Sequence, residues 1–215
     1  MLPIADDNAG RRTFPFVTYL LIAINFIVFF TELASGDDFI IRWSFVPARF
    51  QANPWEDLIT IFSSMFMHAG WLHIIGNMLY LFIFGDNVED AFGHVKFTIF
   101  YLVCGLAATF AQFAFSSGSS IPQLGASGAI AGVLGAYLMM FPRSRVTVLM
   151  GYIVVPLPAL VVIGFWFVLQ LFSGIAAISS ISTEEGGVAY MAHVGGFVVG
   201  LILAFILRPR NRGGA

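Results

Sequence analysis

The stretch from Phe97 to Pro142, FTIFYLVCGLAATFAQFAFSSGSSIPQLGASGAIAGVLGAYLMMFP, carries no charged side chain. A helix needs about 20 mainly apolar residues to cross the hydrocarbon core of a bilayer, so this stretch is long enough for two crossings. Its polar centre, residues 116–122, contains four serines, a glycine and a proline, a composition typical of a turn. The stretch therefore predicts two membrane helices joined by a loop.

The rest of the chain has the same character. Apolar residues make up 59% of the sequence and charged residues only 10%, whereas soluble domains average about half and one quarter. Further charge-free intervals indicate an all-α, polytopic membrane protein. Its six transmembrane helices are predicted at 14–33, 70–86, 95–115, 126–141, 157–175 and 189–207.

The distribution of basic residues predicts the orientation. An even number of spans places both termini on one side, and basic residues favour the cytoplasmic side. The sequence thus predicts a short cytoplasmic tail at 1–13, a membrane domain at 14–207 and a short basic cytoplasmic tail at 208–215. Only Arg42 and Arg49 fall on the opposite side. The basic residues on the predicted cytoplasmic side are Arg11, Arg12, Lys96, Arg143, Arg145, Arg208, Arg210 and Arg212.

A cleaved signal peptide is the alternative reading of the first span. Its apolar run is longer than the 7–15 residues of a signal h-region, and no A-x-A cleavage site follows it. Cys104 is the only cysteine, so an intrachain disulfide and a Cys-rich metal site are excluded.

Ser127 lies in Gly125-Ala126-Ser127-Gly128, where the chain enters the fourth predicted helix. A serine at this place can simply cap the helix. The flanking glycines also permit close approach of a substrate, and unpaired N–H groups at a helix N-terminus suit a developing oxyanion. The second reading, a nucleophile, requires a base nearby.

His193 opens the sixth predicted helix in Ala192-His193-Val194-Gly195-Gly196. A lone membrane histidine can merely hydrogen-bond a neighbouring helix. In the predicted topology, however, the fourth and sixth helices both start at the outer face, which places Ser127 and His193 within about a helical turn in depth. The G-x-x-x-G pairs 128/132 and 196/200 permit close helix packing, so the two side chains can meet.

His73 and Asn77 are spaced i, i+4 and share one face of the second predicted helix. They can join helices, or they can aim N–H donors at an oxyanion. A third reading is a zinc site built from His68, His73 and His193, but no H-E-x-x-H motif or acidic partner accompanies them. No acidic residue falls near the outer start of the second, fourth or sixth helix. Glu184 and Glu185 lie in the loop ahead of the sixth helix, so a catalytic dyad is predicted.

In their order along the chain, the blocks around His73 and Asn77, Ser127, and His193 resemble the signature of the rhomboid intramembrane serine proteases. The resemblance runs from about Phe14 to Leu207. It implies that Ser127 and His193 form the catalytic dyad. It also implies that the side chains of His73 and Asn77 and the backbone N–H of Ser127 hold the oxyanion, with His68, Gly125 and Gly128 in supporting roles. Ala131 stands where many relatives carry an aromatic residue that stacks on the histidine, so the contact that orients His193 is left open.

We therefore expect a serine endopeptidase that cleaves single-span membrane proteins near the outer face of the bilayer, without metal or cofactor and without nucleic acid as a partner. It would be a multi-pass protein of the plasma membrane if the source is bacterial. One alternative is a rhomboid-like protein that binds membrane clients without cutting them. Another is a small transporter, which would require polar residues through both halves of the bilayer, whereas the inner halves of helices two, four and six are apolar.

Overall fold

The computed structural model describes residues 1–8, 10–179 and 189–207. This part of the chain is mostly helical. The helices are α1 (Phe16–Ser35), α2 (Asp37–Trp43), α3 (Pro47–Ala52), α4 (Pro54–Ser63), α5 (Trp71–Phe92), α6 (His94–Ser116), α7 (Ser127–Met140), α8 (Ala159–Ser179) and α9 (Tyr190–Leu207), and a 3₁₀ turn at Ser64–Phe66 follows α4.

Four of the described helices, α1, α6, α8 and α9, are long and apolar enough to cross a membrane. Helix α5 passes the same test together with α4, although the two are bent by 76° at the break between them. Helix α7 is apolar but only 14 residues long. A helix thus lies at each of the six predicted places, and four or five of them meet the criteria for a full span.

A small antiparallel sheet lies at the end of the helical bundle where α7 ends and α8 begins. Its strands are β1 (Leu2–Asp6), β2 (Arg145–Met150) and β3 (Ile153–Pro158), in the order β1-β2-β3. Val146 and Val148 alternate with more exposed residues of β2 and are fully buried, which is the pattern of a half-buried strand.

The sheet corrects two expectations. The chain is mostly helical, as the all-α prediction has it, but the tail predicted at 1–13 contributes strand β1 to a small sheet that was not predicted. The fifth helix begins at Ala159 rather than 157, because Pro156 and Pro158 belong to β3. In an edge strand, proline removes no donor that the sheet needs. The predicted tail 208–215 lies outside the described residues.

A buried carboxylate near the end of α5, that of Glu89, holds the start of α1. Glu89 is fully buried and accepts hydrogen bonds from the backbone N–H groups of Val17 and Thr18, at 2.8 and 2.7 Å, and from the Thr18 hydroxyl at 2.6 Å. These are first-turn N–H groups, which have no acceptor within their own helix, and an acidic side chain suits the positive end of the helix dipole. Glu89 therefore caps α1 from another helix.

The α7–α9 pair is in backbone contact through glycines. A Cβ added at Gly196 would overlap the carbonyl oxygen of Gly128, and one at Gly200 would overlap that of Gly132. A Cβ at Gly132 would lie 2.5 Å from the Cβ of Cys104 in α6 and 3.2 Å from the carbonyl oxygen of Gly196. The two G-x-x-x-G motifs thus face each other, the arrangement that small-residue motifs permit in membranes.

A polar cluster links β1 to the helices at the sheet end. The Asp6 carboxylate accepts from Asn87 Nδ2 at 2.6 Å and from the Tyr137 hydroxyl at 2.8 Å, both at Oδ2. Burial raises the pKa of Asp6 to about 6. The hydrogen bond from Tyr137 opposes this rise, and the nearby carboxylates of Asp86 and Asp7 add to it. Arg11 forms an ion pair with Asp86 in the same cluster.

Replacement of Gly200 by alanine tests the α7–α9 contact. The added methyl group meets backbone atoms that cannot rotate away, and overpacking of this kind costs about 1–3 kcal/mol. We expect Gly200→Ala to lower Tm in detergent by roughly 2–10 °C. The control is Gly164→Ala in α8, where no atom lies within 4 Å of the added Cβ; an equal Tm for both variants would contradict the close packing.

Replacement of Asp6 by asparagine tests the buried carboxylate. Because the folded-state pKa is raised from 3.8 to about 6, the stability that Asp6 contributes is fully present below about pH 4 and is lost as pH rises through 6. Asparagine can keep an acceptor oxygen for Asn87 and Tyr137 but does not ionise. The difference in Tm between Asp6→Asn and wild type should therefore shift in favour of the variant between pH 4 and pH 7. Asp38→Asn, at an exposed position in α2, serves as the control and should show no such trend.

Candidate active site

Ser127 is the first residue of α7 and does not cap it. The N-cap is Ala126, and no side-chain hydrogen bond caps the helix. The N–H of Ile130 bonds to the carbonyl of Ala126, which leaves the N–H groups of residues 127–129 among those without an acceptor inside the helix. The Ser127 hydroxyl is therefore available for another partner.

The loop before Ser127 is fixed to the segment that joins α1 to α5. Phe45 and Gln123 exchange two backbone hydrogen bonds, of 3.1 and 2.7 Å, and the Gly125 N–H donates to the carbonyl of Ser64 at 2.9 Å. Phe45 is fully buried. These bonds give the loop one position and thereby fix where α7 starts.

Arg49 organises the segment that holds this loop. Its guanidinium donates to Asp57 at 2.7 Å and to the carbonyls of Ile41 and Ser44, each at 2.6 Å. Hydrogen bonds of a charged donor are stronger than neutral ones. The short helices α2 to α4 are thus joined by one side chain.

His193 reaches Ser127 directly. The Nε2 atom of the imidazole lies 2.7 Å from Ser127 Oγ, within the distance that a nucleophile and its base require. The first turn of α9 is itself held by Gln112 of α6, whose Oε1 accepts from the N–H groups of Met191 and Ala192 at 3.0 and 3.2 Å. The structure therefore brings together the serine and the histidine that the sequence singled out.

His73 presents an N–H group towards the serine loop. The backbone N–H of Ala69 donates to His73 Nδ1 at 3.4 Å, so a neutral ring carries its proton on Nε2. The Nε2 atom would lie only 2.9 Å from a Cβ at Gly125, whose φ is +134°. Glycine at 125 thus serves both the backbone conformation and the close approach of His73.

Asn77 lies one turn further along α5 and is 9% exposed. Its Nδ2 is buried and has no hydrogen-bond partner among the described residues. Buried donors are normally paired, so this amide group is ready to donate to an atom of a bound molecule.

His68 packs edge-on against His73, with ring centroids 5.0 Å apart. Its backbone N–H donates to the carboxylate of Glu32 at 3.2 Å. No three His, Cys, Asp or Glu side chains in the described part of the chain converge as metal ligands. Glu184 and Glu185 lie outside that part.

Two residues of α8 contact His193 and were not identified from the sequence. Gln170 Oε1 lies 2.7 Å from His193 Nδ1. The Trp166 ring lies 5.9 Å from the imidazole, between centroids, at 35°. Gln170 is the one amide or charged residue of the predicted span 157–175, and a polar side chain inside an apolar span is the signal that could have identified it.

A small pocket opens beside Ser127. Its wall is built mostly from small residues, among them Gly125, Gly128, Ala129 and Ala192, together with Met65 and Thr109.

The family assignment follows from comparison with known sequences. The Rhomboid domain profile matches residues 55–210. The chain belongs to the rhomboid family. Its candidate spans and this membership make it an integral, multi-pass membrane protein.

Among curated rhomboid relatives, the chain is 30% identical over 210 residues to rhomboid protease GluP of Bacillus subtilis, covering 92% of the chain and 35% of that protein. It is 28% identical over 190 residues to rhomboid protease GlpG of Haemophilus influenzae, covering 88% and 90%. It is 28% identical over 164 residues to the mitochondrial RHOMBOID-like protein 6 of Arabidopsis thaliana, covering 76% and 47%. The chain thus spans about a third to a half of some relatives and nearly all of GlpG.

Proposed function

We propose that this rhomboid protein is an intramembrane serine endopeptidase that uses Ser127 and His193 as a dyad. The 2.7 Å contact between His193 Nε2 and Ser127 Oγ is the observation that carries the proposal. The names of GluP and GlpG describe proteases, which agrees with this chemistry.

The proposed reaction assigns a role to each of these groups. His193 Nε2 takes the hydroxyl proton as Ser127 Oγ attacks the carbonyl carbon of the scissile peptide bond. The proton then passes to the leaving amine, an acyl-serine remains, and water activated by the same imidazole hydrolyses it. No metal or cofactor enters this scheme.

The oxyanion of the tetrahedral intermediate would be held by His73 Nε2–H, the unpartnered amide of Asn77 and the backbone N–H of Ser127. Three features support this assignment: the tautomer that Ala69 imposes on His73, the buried Asn77 donor without an acceptor, and the free N–H groups at the start of α7. Preorganised donors of this kind stabilise negative charge that develops in the transition state.

The substrates we propose are single-span membrane proteins cut near the outer face. Six crossings with both termini in the cytoplasm would place Ser127 in the outer half of the bilayer, in the plasma membrane if the source is bacterial. Helix α8 is the least buried of the four helices that meet the span criteria: 22% of its most apolar 18-residue stretch is buried, against 28–33% for the other three. It is our candidate for the element that moves to admit a substrate helix.

Cleavage of a labelled single-span substrate by the purified protein tests the function. We expect Ser127→Ala and His193→Ala to abolish cleavage and to abolish labelling by a fluorophosphonate, which reacts with activated serines. Ser120→Ala, at an exposed serine of the same loop, should behave as wild type. Undiminished cleavage by Ser127→Ala would refute the assignment, and binding of the substrate by wild type without cleavage would favour a client-binding protein.

The Asn77 variants test the oxyanion site. Loss of one oxyanion donor typically lowers kcat by about 10²–10³, and we expect this from Asn77→Ala with little change in KM. Asn77→Asp keeps the shape but turns donor into acceptor, so it should be at least as slow. Leu72→Ala, at a 90% exposed position on the same helix, is the control; a kcat near wild type for Asn77→Ala would remove Asn77 from the site.

A further inference from the structure

The two ring nitrogens of His193 have partners on two different helices. Nε2 faces Ser127 of α7 at 2.7 Å, and Nδ1 faces Gln170 Oε1 of α8 at 2.7 Å. His193 itself is 8% exposed, so water has little access to compete for these bonds. Both contacts therefore act on the same buried ring.

The partner at Nδ1 decides where the imidazole proton lies. An amide oxygen can only accept, so Nδ1 must donate to it, and a neutral imidazole carries a single proton. Nε2 is then unprotonated and accepts the hydrogen bond from the Ser127 hydroxyl. This is the tautomer that a base needs in order to deprotonate serine.

Trp166 supports the same ring. It lies four residues before Gln170, one helical turn away, so both side chains project from one face of α8. The Trp166 ring also packs against Phe197 at 6.3 Å, one turn below His193 on α9. Trp166 of α8 thus supplies an aromatic contact to His193. The position on α7 where many relatives carry an aromatic residue is Ala131 in this chain.

The geometry points to Gln170 as a positioning residue that holds His193 in the Nδ1–H tautomer, in the place that a carboxylate occupies in a Ser-His-Asp triad. This inference rests on the proposed protease function. A neutral amide supplies the acceptor without a buried charge, and an ionised side chain inside a membrane protein is costly. The proton on the histidine is then oriented by a dipole instead of an anion.

Two substitutions separate this role from simple helix contact. Gln170→Met keeps the length of the side chain but removes the acceptor, and Gln170→Glu keeps an acceptor and adds charge. Val168→Ala, at a 45% exposed position on the same helix, is the matched control. If Gln170 only joined α8 to α9, Gln170→Met would lower Tm but leave the tautomer and the pH profile unchanged.

The first measurement is independent of activity. In protein labelled with ¹⁵N-histidine, the His193 signals are identified by their loss in His193→Ala, and their shifts report which nitrogen is protonated. We expect Nδ1–H in wild type and in Val168→Ala, and a population of Nε2–H in Gln170→Met. An Nε2–H ring in wild type, or unchanged His193 signals in Gln170→Met, would overturn the inference.

The second measurement is the pH dependence of cleavage. We expect Gln170→Met to lower kcat about 10- to 100-fold, as for a buried donor that loses its acceptor, with little change in KM. Gln170→Glu should retain more activity, and its activity should fall off at a higher pH on the acidic side, because a carboxylate favours imidazolium. His73 is the other titratable group that acts on His193; it is present in every variant and so does not contribute to the difference.

The outcomes distinguish the two proposals. Wild-type protein without cleavage but with a Gln170-dependent tautomer would refute the protease and keep the positioning role. Cleavage by Gln170→Met at the wild-type kcat would refute the positioning role and leave the protease standing.

Discussion

The close approach of α7 and α9 is the constraint on which the candidate site depends. A side chain at Gly196 or Gly200 would overlap the backbone of α7. One at Gly128 or Gly132 would overlap Ala108 or Cys104 of α6, so the glycines set how closely these three helices pack. Ser127 starts one helix and His193 lies in the first turn of the other. Their 2.7 Å contact is therefore a consequence of backbone packing, and neither side chain has to hold the other in place. In lipid, where apolar surface gives helices little reason to associate, such contacts carry much of the packing.

Buried polar groups differ in how fully their hydrogen-bonding capacity is used. Groups at the sheet end are saturated: Glu89 accepts the first N–H groups of α1, and Asp6 accepts from Asn87 and Tyr137. Around Ser127, the Asn77 amide has no partner in the described residues. A buried donor without an acceptor costs about 1–3 kcal/mol, so the Asn77 amide lowers the stability of the free protein and is available to a bound molecule.

The sequence predicted the helical segments because a charge-free, apolar interval of about 20 residues is typical of a membrane-spanning helix. It also predicted that Ser127 and His193 could meet, because equal depth on two helices that start at one face is a consequence of helix rise. It did not predict the sheet. Pro156 and Pro158 look like a helix start, and the strand at residues 2–6, which pairs with the other edge of β2, is far away in the chain. The contacts of Gln170 and Trp166 with His193 were not predicted because they depend on the orientation of α8 about its axis. Tertiary packing sets that orientation, and a largely apolar helix does not encode it in its periodicity; the polar side chain of Gln170 inside an apolar span was the one available signal.

Helix α8 is the least buried of the four candidate spans. It also provides Gln170 and Trp166, which contact His193. A displacement of α8 away from the bundle would separate Gln170 and Trp166 from the imidazole while leaving Ser127 and His193 on their glycine-locked helices. The imidazole would then lose the acceptor that holds its tautomer. Under the proposed function, this arrangement would be an interlock, because the dyad would be complete only while α8 is packed against His193.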